Sequence, residues 1–331
     1  MDLSSEEAFL YHNQPKVCSG PSPNTQPFRY LMITNYKSSS MINELEKKVK
    51  KIVRRVVSFA KRESLPQIDQ NILCNQYRMM KKLLDRSEMP TLRDVGFKVY
   101  SEFEEDGILV YIFSIIGTTN KRVIEICAGD GVECMAANLI INHGWEGLLF
   151  DGNKQQVEKG IKFYASHPLT SYHPPVFKNT WITKENANSV ISENGFIGEI
   201  DLLSVDMDGN DYYIMDAIDV VMPRVIICET HNIIPGELAL TIPYRSDFKR
   251  SNEHPDFMGV SLFGMQKLLR KKGYRLIGSH RHGFNAIFMR DGLGLEYFPE
   301  VSICSVHDNP YTRFRRETAW HKVKDLPWVN I

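Results

Sequence analysis

Two clusters of polar side chains follow apolar runs in the second half of the chain. Ile200-Asp-Leu-Leu-Ser-Val leads into Asp206-Met-Asp208-Gly209-Asn210-Asp211-Tyr212, and Arg224-Val-Ile-Ile-Cys leads into Glu229-Thr-His231-Asn232. If the two runs are neighbouring strands, their ends lie about 5 Å apart, and the carboxylates and the imidazole face one cavity. Gathering that many acids is costly unless a cation, a proton or a substrate donor offsets them. One of Asp206, Asp208, Glu229 and His231 could take the proton from an attacking hydroxyl. Alternatively, Asp206, Asp208 and Glu229 could hold a divalent ion such as magnesium, which would position and acidify that hydroxyl. Gly209-Asn210-Asp211 also suits a turn with a helix cap, and Asn210 and Asp211 are expected to serve that local role.

A second constellation lies upstream. Arg122-Val-Ile-Glu-Ile-Cys-Ala-Gly-Asp-Gly131 is a β-branched run that breaks into glycines, and Asp151 stands twenty residues beyond it. Strand, glycine turn, helix and distal acid make half of a nucleotide-binding α/β fold. N–H groups at the helix start favour an anionic group, and the acid can accept hydrogen bonds from ribose hydroxyls. A dinucleotide fingerprint needs a third glycine where Cys134 stands, which counts against NAD or FAD and against a nicotinamide-dependent oxidoreductase. An acid within the strand (Glu125) and two glycines instead resemble the S-adenosylmethionine loop of class I methyltransferases. Cys127 replaces the first glycine of that family's Gly-x-Gly-x-Gly.

These residues need a scaffold. At 331 residues the chain can hold one large α/β domain and an appendage. Lys plus Arg and Asp plus Glu each total 40, so no global field points to nucleic acid. No apolar run approaches the ~20 residues that a membrane helix needs. The acidic start Met-Asp-Leu-Ser-Ser-Glu-Glu does not resemble a signal peptide, and the scattered cysteines form neither a metal pair nor a disulfide framework. A reduced, cytoplasmic protein is the expectation. No Gly-x-Ser-x-Gly elbow or phosphate-binding lysine loop is present, which disfavours hydrolases and kinases.

Residues 1–27, with four prolines, read as a disordered tail, and 28–92 as a helical extension. Within it, residues 40–62 carry Leu45, Val49, Ile52, Val56 and Phe59 on one stripe and a dense basic face opposite. Such a helix could dock on anionic lipid or mediate self-association, the simpler reading being a solvated charged face. Past Pro90, strand candidates at 122–127, 147–150, 175–182, 200–206, 224–229, 274–279 and 284–290 alternate with helices at 131–142, 153–165, 184–193, 211–219 and 260–272. Alternation calls for a mostly parallel sheet covered on both faces. The last two strands are joined by a link too short for a crossover and must form an antiparallel hairpin. The fold class is therefore α/β and Rossmann-like: a seven-stranded, mostly parallel sheet with an antiparallel terminal hairpin, as in class I methyltransferases, on residues 93–295. Residues 296–331 form a C-terminal extension. The stretch from Tyr244 to Pro255 reads as a mobile lid or acceptor-binding loop, and His280 and His282 as exposed turn residues.

The chain also resembles the FkbM-type methyltransferases. Ser101-Glu-Phe-Glu-Glu-Asp-Gly107 is similar to their Ser-Gln-x-x-Glu-Asp-Gly motif, with Glu102 where glutamine is usual. Asp206-Met-Asp-Gly-Asn-Asp-Tyr212 is similar to their Asp-x-Asp/Glu-Gly segment, and Glu229-Thr-His231-Asn232 replaces a more usual Glu-Tyr-Asn. Asn142–Asn153 and the segments Lys272–Gly278 and Gly283–Phe288 add to the likeness, which spans roughly residues 95–290. Met135 stands where those proteins usually have asparagine. The resemblance implies transfer of a methyl group from S-adenosylmethionine to the hydroxyl of a sugar or glycan-type acceptor. In that fold Glu125, Ala128, Gly129, Gly131, Asp151, Gly152, Asn186 and Asp206 would meet the cofactor, and Trp145, Trp181 and Tyr212 could stack on a ring. A non-catalytic, methyltransferase-like module for assembly or docking is the other class that fits.

Overall fold

Alternating apolar positions build the sheet. The strands in chain order are β1 (Arg122–Ile126), β2 (Glu146–Asp151), β3 (Val176–Asn179), β4 (Gly198–Val205), β5 (Val221–Glu229), β6 (Leu240–Thr241), β7 (Tyr274–Ser279), β8 (Asn285–Arg290) and β9 (Val329–Asn330). All but β6 and β9 join one sheet ordered β3-β2-β1-β4-β5-β8-β7 in a computed structural model that describes residues 67–331. The expected tail at 1–27 and the basic helix at 40–62 lie outside the described residues. Side chains on successive residues face opposite sides. Val123, Leu149, Leu202 and Val225 enter one apolar core, while Ile124, Ile126, Leu148, Leu203 and Ile226 enter the other.

The β1–β5 pairings are parallel, and β8 runs antiparallel to both β5 and β7. The expected terminal hairpin is thus present. Helices α1 (Gln67–Leu83), α2 (Glu105–Ile116) and α3 (Ala137–His143) contribute buried side chains to the first core. Helices α5 (Ala187–Glu193), α6 (Asp211–Ala217) and α7 (Leu262–Lys271) contribute to the second; α4 (Lys154–Ser166) lies between α3 and α5 in the chain. No helix among the described residues is long and apolar enough to cross a membrane.

Three departures from the sequence reading have local causes. The helix expected from 131 starts only at Ala137, because the Glu125 carboxylate accepts the N–H groups of Met135 (3.0 Å) and Ala136 (2.7 Å) and holds that stretch irregular. His280 is not an exposed turn residue. It is buried at 1% exposure against Phe103 and Phe284, and burial pushes its pKa down to about 3. The Tyr244–Pro255 loop is fastened rather than free: Trp181 Nε1 donates to the Ser246 carbonyl (2.7 Å), Asn210 Nδ2 to that of Arg245 (2.8 Å), and Arg250 Nε to that of Pro255 (2.7 Å).

The C-terminal segment returns to form a separate two-stranded sheet. β9 pairs with β6, and Lys267 donates to the Ile331 carbonyl (2.6 Å). Two short helices, α8 (Ile303–His307) and α9 (Pro310–Arg315), come before that return, each started by a side-chain cap from Ser302 or Asn309.

Candidate functional site

At the carboxyl end of β1 the chain turns with three residues in the left-handed region: Cys127 (φ 65°), Gly129 (φ 58°) and Gly131 (φ 68°). Cys127 therefore adopts a glycine conformation without being glycine, a strain of about 1–3 kcal/mol that persists only where the surroundings impose it. The Ala128 N–H donates to the Phe150 carbonyl (2.9 Å) and the Gly131 N–H to that of Ala128 (2.8 Å), closing the loop. The Gly129 N–H donates to Asp151 Oδ2 (2.9 Å) and the Asn153 N–H to Oδ1 (2.7 Å). Each carboxylate oxygen keeps a further lone pair, so Asp151 stays free to accept from a ligand hydroxyl.

Beside Asp151 lies a cavity of about 210 Å³ walled by Trp181, Ile182, Met207 and Phe248, with Gly152 at its edge. Two glycines make it narrow. A Cβ on Gly152 would come within 2.6 Å of the Trp181 ring, and one on Gly209 within 2.2 Å of the Phe248 ring. A larger cavity of about 620 Å³ is lined by Asp206, Asp208, Glu229, His231, Phe103, Phe284, Tyr311 and others. Cys127, Asp151 and Met207 line both, so the two chambers meet there.

The larger chamber holds a pair of carboxyls. Asp206 follows β4 and Glu229 ends β5, and both line the chamber. Burial first, then the neighbouring acids, pushes Asp206 up to about 8 and Glu229 well above the carboxylate range. Asp208 is exposed in a left-handed turn (φ 55°) and pairs with Arg250 at 3.4 Å. Asp211, as expected of a turn residue, accepts the N–H groups of Met207 (2.8 Å) and Gly209 (3.0 Å).

His231 stands across the chamber. Its Nε2 lies 2.8 Å from the Asp256 carbonyl, so that nitrogen carries the proton and Nδ1 keeps its lone pair. Burial pushes its pKa down to about 4, and the ring is neutral near pH 7. Asp256 is in turn anchored by Arg315 at 2.6 Å.

The divalent ion expected on Asp206, Asp208 and Glu229 does not fit this arrangement. Asp208 pairs with Arg250, and no group of three or more His, Cys, Asp or Glu among the described residues is set to hold a metal.

Asp151, Gly152, Asp206, Asp208, Glu229 and His231 thus line the joined chambers, while Gly129 orients Asp151 from behind. Other residues expected at the cofactor lie elsewhere. Glu125 and Ala128 are buried under the loop, and Gly131 packs against Phe177 and Tyr164, whose hydroxyl donates to its carbonyl. Asn186 accepts from the Thr183 N–H (2.8 Å) and donates to the Trp181 carbonyl (2.9 Å), bracing the slot without lining it. Trp181 lines the slot, whereas Trp145 is buried core against Phe113 and Tyr212 lines neither chamber.

The Ser101–Gly107 motif explains how one wall is placed. Asp106 accepts the N–H groups of Val99 (2.7 Å), Tyr100 (2.6 Å) and Ser101 (2.8 Å). Glu104 accepts from the Arg281 N–H (2.6 Å) and Glu105 from Asn285 Nδ2 (2.8 Å), tying the motif to the β7–β8 hairpin. Gly107 permits this, since its Cβ would fall 2.3 Å from the Phe97 nitrogen. Phe103 is thereby set 5.4 Å from Phe284, centroid to centroid. The sequence reading missed Phe103, Phe284, Tyr311 and Arg315 as site residues, while Arg250 lies in the segment it read as acceptor-binding. Only the Asn309-Pro310 helix start signalled that α9 would form, and nothing in it pointed towards a cavity.

No protein-family profile and no curated protein matches the chain. Among solved structures it is similar to magnesium protoporphyrin IX methyltransferase from Synechocystis with bound S-adenosylmethionine, at 13% identity over 56% of this chain and 78% of that one (TM-score 0.35). It is also similar to an S-adenosylmethionine-dependent methyltransferase from Clostridium acetobutylicum, at 9% identity over 54% of this chain and 88% of that one (TM-score 0.34). A third is the O-methyltransferase of a trans-AT polyketide synthase multienzyme of Brevibacillus brevis with S-adenosylhomocysteine, at 12% identity over 47% of this chain and 46% of that one (TM-score 0.31). The sheet order with its antiparallel terminal hairpin is a Rossmann-like α/β arrangement.

Proposed function

We propose that this chain is an S-adenosylmethionine-dependent methyltransferase that acts on a hydroxyl of a sugar or glycan-type acceptor. The observation that carries the reading is the meeting of a narrow apolar slot and an acidic chamber at Cys127, Asp151 and Met207. The slot suits a flat base between Trp181, Ile182 and Phe248, and Asp151 suits ribose hydroxyls. S-adenosylmethionine, when bound, supplies a methyl group on a sulfonium that leaves as a neutral thioether. Everything else falls to the chain. Asp206 in its ionised form and the neutral Nδ1 of His231 are the bases able to take the proton of the attacking hydroxyl. Asp208 and Arg250 flank the opening. The similarity of Ser101–Gly107 and Asp206–Tyr212 to FkbM-type segments favours a carbohydrate acceptor over other hydroxyl compounds.

The test is formation of S-adenosylhomocysteine by the full chain across sugars and oligosaccharides. Acceptor-dependent turnover that Asp206→Asn lowers at least tenfold supports the reading. Cofactor binding without turnover on any hydroxyl acceptor contradicts it.

A further inference from the structure

The larger chamber is lopsided in charge. Glu102, Asp151, Asp206, Asp208 and Glu229 line it, against Arg250 and Arg315. Both arginines are engaged: Arg315 with Asp256 at 2.6 Å, and Arg250 with the Pro255 carbonyl at 2.7 Å and Asp208 at 3.4 Å. Deep in the chamber, Glu229 Oε2 is buried and receives no hydrogen bond from a protein donor group. A buried carboxyl oxygen left without a donor is costly, and a ligand N–H can meet that need.

The wall beside this carboxyl is aromatic. Asn285 pairs with Glu229 across β5 and β8, and the Thr230 N–H donates to the Phe284 carbonyl at 2.7 Å, so Phe284 is the next residue along the hairpin. Phe103 lies 5.4 Å from Phe284, and Tyr311 lies 6.0 Å from it, centroid to centroid. The three rings come from the loop before α2, the hairpin and α9, and all line the chamber. Aromatic faces attract a cation through the ring quadrupole, and an ammonium brought beside buried carboxyls favours their ionised form, both effects gaining strength out of water.

We infer that the acceptor chamber selects molecules bearing a cationic amino group, held between the Asp206–Glu229 pair and the wall formed by Phe103, Phe284 and Tyr311. The inference rests on the reading of this cavity as the acceptor chamber, and it narrows the acceptor to a hydroxyl compound that also carries an ammonium. A neutral sugar would leave the acid excess unmet; an amino sugar or amino alcohol offers an ammonium to it and an N–H to Glu229 Oε2.

The experiment is calorimetric titration of the full chain, with and without saturating S-adenosylhomocysteine. The probes are ethanolamine and its uncharged isostere propan-1-ol, which share shape and hydroxyl. Ethanolamine is expected to bind at least tenfold more tightly than the isostere. Glu229→Gln should erase most of that ratio, and Tyr311→Leu, at a partly exposed ring, should reduce it several-fold. Equal affinities, a preference for the isostere, no binding of either probe, or a ratio unchanged in both variants would overturn the inference. Failure of S-adenosylhomocysteine to bind would instead strike the methyltransferase reading, because the preference for the cation is also measured without it.

Discussion

The two halves of β4 carry the same side chain in opposite circumstances. Asp201, near the start of the strand, is fully buried and accepts from the N–H groups of Thr119 (3.0 Å), Asn120 (3.0 Å) and Lys121 (2.7 Å) and from Arg224 at 2.7 Å. Asp206, just past its end, is partly buried and lies among other acids, Asp208, Asp211 and Glu229. The first aspartate is surrounded by donors and supports the fold. The second is surrounded by acids, and burial pushes it up to about 8, into the range where a carboxyl can exchange protons near neutral pH. Burial alone therefore does not separate a structural acid from a reactive one; the supply of donors does.

The comparison can be broken from either end. Arg224→Ala removes the charge partner of Asp201 and two hydrogen bonds to the carbonyls of Ile116 and Gly117. It should cost about 3–5 kcal/mol in chemical denaturation, because it leaves a buried carboxylate short of its partner. A loss under about 1 kcal/mol would mean that the backbone donors hold Asp201 unaided. Asp206→Asn should do the reverse. It is expected to lower turnover about 10²–10³-fold, as the loss of a general base does, while thermal stability stays the same or rises. Unchanged turnover would move the base to His231.

A smaller effect concerns the slot. Trp181→Ala should weaken S-adenosylhomocysteine by roughly 1 kcal/mol, the scale of an aromatic stacking contact, and leave turnover at saturating cofactor nearly unchanged. A fall in turnover without a fall in affinity would place the ring at the acceptor instead.

The smallest expected effect is on the pH dependence of stability. A carboxyl whose pKa is raised on folding binds more protons in the native state, so stability falls as pH rises through the folded value. Glu125, pushed up to about 7, and Asp206, pushed up to about 8, act in this direction. The buried histidines, whose folded pKa values are lowered, act only below their ordinary 6.5. Between about pH 6.5 and 8 the melting temperature should therefore decline, and Asp206→Asn should flatten that decline. A variant with the wild-type slope would show that the pair does not titrate there.

Much of the scaffold could be read in the residues. Short apolar, β-branched runs placed the strands of the sheet, and the short link between β7 and β8 required an antiparallel hairpin. Asp206, Asp208, Glu229 and His231 were visible as neighbours because strand ends are close in any parallel sheet. What was hidden depends on side chains whose partners are distant in sequence. Glu125 spends its acceptors on Met135 and Ala136, which shortens a helix that the pattern extends to 131. Asn186 is absorbed by a turn, and His280 is buried only because Glu104 and Glu105 bind the hairpin across roughly 180 residues. Tyr311 and Arg315 belong to a helix too short to show a periodic face, so nothing local announced their arrival at the chamber.

The claim on which the rest depends is that Asp151 and the adjoining slot hold the cofactor. Titration calorimetry with S-adenosylhomocysteine tests it directly: saturable binding at one site by the wild-type chain, weakened at least tenfold by Asp151→Ala, is the expected result. No binding by the wild type, or equal binding by the variant, would contradict it.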